Sequence, residues 1–280
     1  MKHSYTELIS RLREIEASSP HLSVRSLGGF RAQNGEYELF RADLGAAPRG
    51  AISVCISAGI HGDEPAGPEA ALRFLEQNAH NEELLSKFSF AVFPCDNPSG
   101  YELGTRENSS GIDLNRQFNT AGPAAEAKIL SDEMEGEQFR HLYDLHEDVD
   151  SYGLYLYELS TDSSDRAGAE IIRTVSEAGY PINLSECIEG LDSHCGVIAP
   201  SVSRMRRRKL PRAVHMFRSG VPHVITTETP GTALPLEDRV KIHLMGLDVA
   251  LRRAEEREIV REGAMSGFPG QGVHPKFMTT

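Results

Sequence analysis

Apolar positions near the start of the chain recur at helical spacing. Tyr5, Leu8, Ile9, Leu12 and Ile15 share one face, the signature of an amphipathic helix, and Ser18-Ser19-Pro20 stops it. Alternation then takes over. Two short strands are predicted over 22–27 and 37–43, punctuated by Gly28-Gly29 and Asn34-Gly35 turns. From residue 51 the pattern changes to continuous apolar runs, each followed by helical periodicity. Strands are predicted at 51–58, 88–94, 142–146, 154–159 and 221–227, and helices at 67–78, 124–134 and 164–178. A last helix carries Leu236, Val240, Leu244, Leu247 and Leu251 on one face. Buried strands alternating with helices imply an α/β fold, a three-layer α/β/α sandwich around a mostly parallel sheet. In such open sheets ligands bind beyond the carboxyl ends of the strands. The expected organisation is one domain over 1–262 and a Gly/Pro-containing tail over 263–280.

Composition narrows the class without changing the fold. The 39% hydrophobic and 25% charged fractions suit a globular protein with a substantial core. A net charge of −12 argues against a nucleic-acid partner. Arg204, Arg206, Arg207, Arg208, Lys209 and Arg212 run against that balance. They are read either as a solvated face or as a rim that attracts anionic substrates. The amino terminus leads into an amphipathic helix rather than a secretory apolar run, and no stretch reaches the roughly 20 apolar residues that span a bilayer. Four scattered cysteines do not make a disulfide framework. A cytoplasmic location is expected.

Chemistry concentrates just past the strand ends. Ser57-Ala-Gly-Ile-His-Gly-Asp-Glu-Pro-Ala-Gly67 sets His61 and Glu64 three residues apart in a glycine-punctuated turn, where an imidazole and a carboxylate can close on one metal ion. His146 ends the apolar run at 142–146 and completes a set of two histidines and one carboxylate that suits a catalytic zinc with an open position. Arg116 offers a planar fork for a carboxylate, with Asn115 beside it as an amide donor. Arg106 is a second cation able to stabilise an oxyanion. Asp113 is placed to accept from the outer nitrogen of a metal-binding histidine. Glu228 ends a β-branched run, where a carboxylate can serve as a general base without ligating the metal. His194, His215 and His223 are read as structural, and Cys187 and Cys195 as ordinary buried thiols.

His-Gly-Asp-Glu at 61–64, Asn-Pro-Ser-Gly at 97–100, Asp-Leu-Asn-Arg at 113–116, Asp-Leu-His at 144–146 and Thr-Glu-Thr-Pro at 227–230 occur in this order. With these blocks the chain resembles an M14-type zinc carboxypeptidase, of the carboxypeptidase A superfamily that includes the succinylglutamate desuccinylase and aspartoacylase group. The resemblance implies a zinc carboxypeptidase-like fold and one Zn2+ held by His61, Glu64 and His146. It also implies a carboxylate clamp of Asn115 and Arg116, Arg106 as carbonyl polariser, Glu228 as general base and acid, and Asp113 behind His61. Two departures stand out. Arg106 lies only ten residues before Arg116, a shorter loop than in the digestive carboxypeptidases. The region 201–220, where the family's substrate-capping tyrosine is expected, contains none, leaving Tyr152, Tyr155, Tyr157 and Tyr180 as substitutes.

The expected activity is hydrolysis of an amide bond next to a free carboxylate, on a peptide or an N-acyl amino acid. Deacylation of small N-acyl amino acids is the alternative within hydrolases. The aspartoacylase group carries a sizeable β domain after the catalytic glutamate, whereas the 52 residues after Glu228 read as one helix plus a tail. A non-catalytic peptide-binding protein on the same fold would have lost a ligand or the base, and none is missing. A structural zinc site would be closed by four ligands, usually including cysteine.

Overall fold

The computed structural model of the chain describes residues 3–46, 50–201 and 208–266. Arg204, Arg206 and Arg207 of the basic run, and residues 267–280 of the expected tail, lie outside them. The opening helix α1 (Tyr5–Ser18) is capped by Ser4, whose side chain accepts from the Glu7 amide. It leads into a long antiparallel pair, β1 (Leu22–Arg31) and β2 (Glu36–Leu44). These strands outrun the two short ones predicted. Gly28 does not turn the chain. It sits at a register shift after Ser26 with φ of 126°, so a β-bulge absorbs the extra residue and the strand continues.

The predicted βα pattern follows, joined by two short helices the sequence reading does not contain, α3 and α4: β3 (Ile52–Ala58), α2 (Ala66–Asn78), α3 (Glu82–Lys87), β4 (Phe88–Phe93), α4 (Pro98–Leu103), α5 (Ala125–Met134), β5 (His141–Asp148), β6 (Tyr155–Ser160) and α6 (Gly168–Glu177). Three very short strands come next, β7 (Cys187–Ile188), β8 (Leu191–Asp192) and β9 (Val197–Ile198). The described chain closes with α7 (Arg212–Arg218), β10 (His223–Pro230) and α8 (Leu236–Ser266). Helix α8 runs four residues into the segment expected as a tail. Eight strands form one mixed sheet in the order β1-β2-β4-β3-β5-β10-β6-β9. The central run β4-β3-β5-β10 is parallel throughout.

Side-chain alternation builds the three layers. Val54, Ile56 and Ala58 of β3, with Tyr143 and Leu145 of β5, pack beneath α1, α2, α6 and α8. Cys55, Leu142 and Val224 point to the other face, beneath α5 and α7. Asp144 and His146, two and four residues on from Leu142, share that second face, as do Thr226 and Glu228 after Val224. No helix among the described residues is long and apolar enough to cross a membrane.

Two buried histidines make the fold acid-sensitive. His243 of α8 lies between Thr227 and Thr229, 3.0 and 3.3 Å from their hydroxyls. His141 meets His223 at 3.0 Å. Burial pushes both His141 and His243 down to about 3. The unfolded chain protonates these rings below about pH 6.5, while the folded chain resists until about 3. Stability is therefore lost as pH falls through that window, about 5 kcal/mol at most for each ring. Urea denaturation across that range should show the loss, and His243→Gln, which cannot titrate, should roughly halve it, leaving the share of His141.

Candidate metal centre and substrate cavity

Chain reversal at the end of β3 places His61 and Glu64 at the carboxyl edge of the sheet. Gly59 takes φ of 65°, and a Cβ on Gly62 would meet the Gly100 carbonyl carbon at 2.0 Å. Only glycine at 62 lets the His61 loop rest against the first turn of α4. Asn97 ties the neighbouring loops together. Its Oδ1 accepts from the Gly100 amide at 2.9 Å, capping α4, and its Nδ2 donates to the Ile60 and Arg106 carbonyls at 3.3 Å each. The Asn-Pro-Ser-Gly block at 97–100 is thus the capped start of a short helix that braces the candidate site.

His61, Glu64 and His146 are brought together, all buried, with ligand atoms within 4.8 Å of one another. Glu64 sits between the two rings, its Oε1 2.5 Å from His61 Nδ1 and its Oε2 2.9 Å from His146 Nδ1. The outer ring nitrogens meet carboxylates. His61 Nε2 lies 3.5 Å from Asp113 Oδ1, and His146 Nε2 lies 3.3 Å from Asp144 Oδ1. Burial opposes the charges, yet the two imidazoles outweigh it and hold Glu64 below the ordinary carboxylate range. Burial likewise disfavours an imidazolium at His146, but Asp144 and Glu64 override it and hold this histidine well above its usual value. Two nitrogens and one carboxylate oxygen converging in a buried pocket, each ring oriented by a carboxylate behind it, are a donor set that fits one zinc ion.

A cavity of about 470 Å³ opens on this cluster and is shared by Glu228, Arg106, Asn115 and Arg116. Glu228 pairs with His146 in the parallel β10–β5 ladder, so both project from the same sheet edge. Burial raises its carboxyl well above the glutamate range, with His146 opposing the rise and Glu64 adding to it. Arg106 reaches in from the loop after α4, its guanidinium 3.4 Å from His61 Nδ1 and 3.3 Å from Asp113 Oδ2. Asp113 caps a single 3-10 turn, accepting from the Asn115 amide at 2.9 Å, which presents Asn115 and the exposed Arg116 side by side. Of the four tyrosines considered, Tyr155 and Tyr157 line the cavity, their hydroxyls donating to Asp148 at 2.9 Å and Glu189 at 2.7 Å. The hydroxyl of exposed Tyr152 serves the Leu184 amide, and that of Tyr180 faces Asp238 of α8.

Two features depart from the sequence reading, and one cavity residue, Glu147, is absent from it. Arg212 belongs neither to a solvated face nor to an attracting rim. Its side chain is fully buried, bonded to both Asp96 and Asp144. Cys187 and Cys195 are exposed rather than buried: Cys187 lies on the two-stranded β7–β8 ribbon apart from the main sheet, and Cys195 sits in the turn that the His194–Val197 bridge closes. Glu147, one residue past His146, points to the opposite face and lines the cavity edge. Its Oε2 accepts from the Ala66 amide at 3.3 Å and its Oε1 from Arg239, and burial raises it to about 7.

Fold and cluster together define a carboxypeptidase-like α/β protein with a candidate metal centre at the sheet edge. Residues 51–192, half of the chain, match the model of the succinylglutamate desuccinylase/aspartoacylase catalytic domain, and the chain belongs to that family. A candidate metallopeptidase from Shewanella baltica OS155 superposes with a TM-score of 0.75 at 24% identity, over 88% of this chain and 91% of its own. A metallo-carboxypeptidase from Burkholderia cenocepacia gives 0.71 at 18% identity, over 91% of this chain and 70% of its own. At these identities the likeness is one of fold. Carboxypeptidase E of Caenorhabditis elegans is 39% identical over 79 residues, 21% of this chain and 17% of that protein. The match thus spans about a sixth of the length of that curated relative.

Proposed function

We propose that this chain is a zinc-dependent metallocarboxypeptidase, hydrolysing the amide bond next to a free carboxylate. The observation that carries the proposal is the shared cavity: the His61/Glu64/His146 cluster, the Glu228 carboxylate and two arginines face one space. When bound there, zinc would acidify water and polarise a carbonyl. Arg116 and Asn115 grip the substrate's terminal carboxylate and fix the register of cleavage. Arg106 stands where negative charge develops on the carbonyl oxygen. Glu228 takes the proton of the attacking water and delivers it to the leaving nitrogen. Asp113 keeps His61 oriented while its other oxygen holds Arg106.

Charge distribution favours the peptide. The arginines enter from the β4 side of the sheet, whereas Asp148, at the end of β5, and Glu189 are held by the tyrosines of β6 on the far side. An anionic acyl group would be repelled there, and the amino group of a peptide would be attracted. Deacylation of N-acyl amino acids is the second reading, favoured by the family match.

Assaying dipeptides and N-succinyl and N-acetyl amino acids side by side, with zinc present, tests the choice. Faster hydrolysis of the dipeptides is expected, and turnover of the acyl amino acids alone would reverse it. Arg116→Ala should raise KM for every carboxylate-bearing substrate by about tenfold or more, in line with the loss of a charge-assisted contact, while amidated peptides should be insensitive to the change.

A further inference from the structure

The two candidate metal histidines are backed in the same way, by an aspartate that an arginine holds. His61 is followed outward by Asp113 and Arg106, and His146 by Asp144 and Arg212. The arginines differ in one respect. Arg106 is half exposed in the cavity, whereas Arg212 is sealed from it and touches no space a substrate could enter. Arg212 opens α7, and its guanidinium spans Asp96, just past β4, and Asp144 on β5. Asp96 is fixed in turn by Ser57 Oγ at 2.8 Å. The backbone amide of Arg212 donates to Asn115 Oδ1 at 2.8 Å. With its oxygen engaged, Asn115 keeps its Nδ2 protons for a ligand in the cavity.

Stability alone does not account for three charges in this position. Burying them costs several kcal/mol per ion, and apolar side chains of similar volume would fill the space at least as well. What the cluster provides is geometry. A planar fork fixes two carboxylates at once, and one of them fixes a ring.

We infer that Arg212 is a positioning residue that sets the orientation of His146 through Asp144 and the orientation of Asn115 through the start of α7. The inference rests on the reading that His146 holds zinc and Asn115 grips the substrate carboxylate. It makes one buried residue the joint between metal site and substrate clamp.

Two variants test it. Arg212→Lys keeps the charge and loses the fork. Arg212→Met combined with Asp96→Asn removes one positive and one negative charge, leaving the net charge of the cluster unchanged. Zinc affinity is measured by competition with a fluorescent chelator, folding by circular dichroism, and KM and kcat with the best substrate. Folded variants should bind zinc about 10- to 100-fold more weakly, the usual effect of losing a partner behind a ligand, and show a raised KM. A merely structural role would lower the melting temperature and leave zinc affinity in place. Folded variants with wild-type zinc affinity overturn the inference, and weakened zinc binding with unchanged KM overturns its Asn115 half. A wild-type chain that takes up no zinc instead refutes the underlying reading, before any substitution is made.

Discussion

Glu228→Gln is expected to lower kcat by about 10²- to 10⁴-fold, the range a positioned general acid-base contributes, while zinc content and KM stay near wild type. Glutamine preserves the shape and position of the side chain on β10 but cannot accept the proton of the attacking water. The separation of effects follows from the register. Glu228 sits beside His146 in the parallel ladder and beside Tyr155 in the antiparallel one, close to the metal cluster but not among the three converging ligands. Glu147→Gln is the matched control. That carboxylate borders the same cavity but is committed to Arg239 and the Ala66 amide on the opposite face. Its loss should disturb stability more than turnover. A Glu228→Gln protein with the wild-type rate would move the proton carrier elsewhere in the cavity, whose lining also includes Asp63.

The parts of this molecule that read directly from the sequence are those with local causes. The βα alternation needs only hydrophobic periodicity, and the five strands predicted between 51 and 227 fall within two or three residues of their expected bounds, whereas β7, β8 and β9 are too short to read. His61 and Glu64 are neighbours in one turn, so their pairing is visible in a single motif. His146 and Glu228 read as site candidates because each ends an apolar run that parallel pairing places at the same edge.

Arg212 shows where such reasoning stops. Its partners Asp96 and Asp144 are 116 and 68 residues away in sequence, and it closes an arginine-rich run that reads as solvated. Nothing local distinguishes a buried guanidinium from an exposed one. The only hint was indirect: Asp144 lies two residues before His146, on the same face of the strand, and a buried aspartate there needs a cation. Helix α7 went unpredicted for a related reason. Seven residues are too few for helical periodicity to register, and it is packing against β5 and β10 that holds it. The bulge at Gly28 reads as a turn in the sequence because a positive-φ glycine serves either purpose, and only pairing with β2 decides between them.

Zinc added at about 1,000 times its Kd should raise the melting temperature of the stripped protein by about 10 °C. Mass action gives about 4 kcal/mol at that excess, and a chain of this size gains roughly 2–4 °C for each kcal/mol. The three proposed ligands come from two separate segments, the turn after β3 and the end of β5, so a shared ion would tie together strands that the unfolded chain leaves apart. His61→Ala and His146→Ala should each abolish the shift and reduce bound zinc below one ion per chain by elemental analysis. The effect should also depend on pH with a definite sign. Asp144 and Glu64 favour the protonated form of His146, so zinc competes with that proton for the ring. Affinity should therefore rise with pH between about 6 and 8, with proton release measurable on titration. A melting temperature indifferent to zinc across that range would mean that Glu64 and the two rings form a self-sufficient ion-pair cluster. The hydrolytic reading of the cavity would then lose its centre.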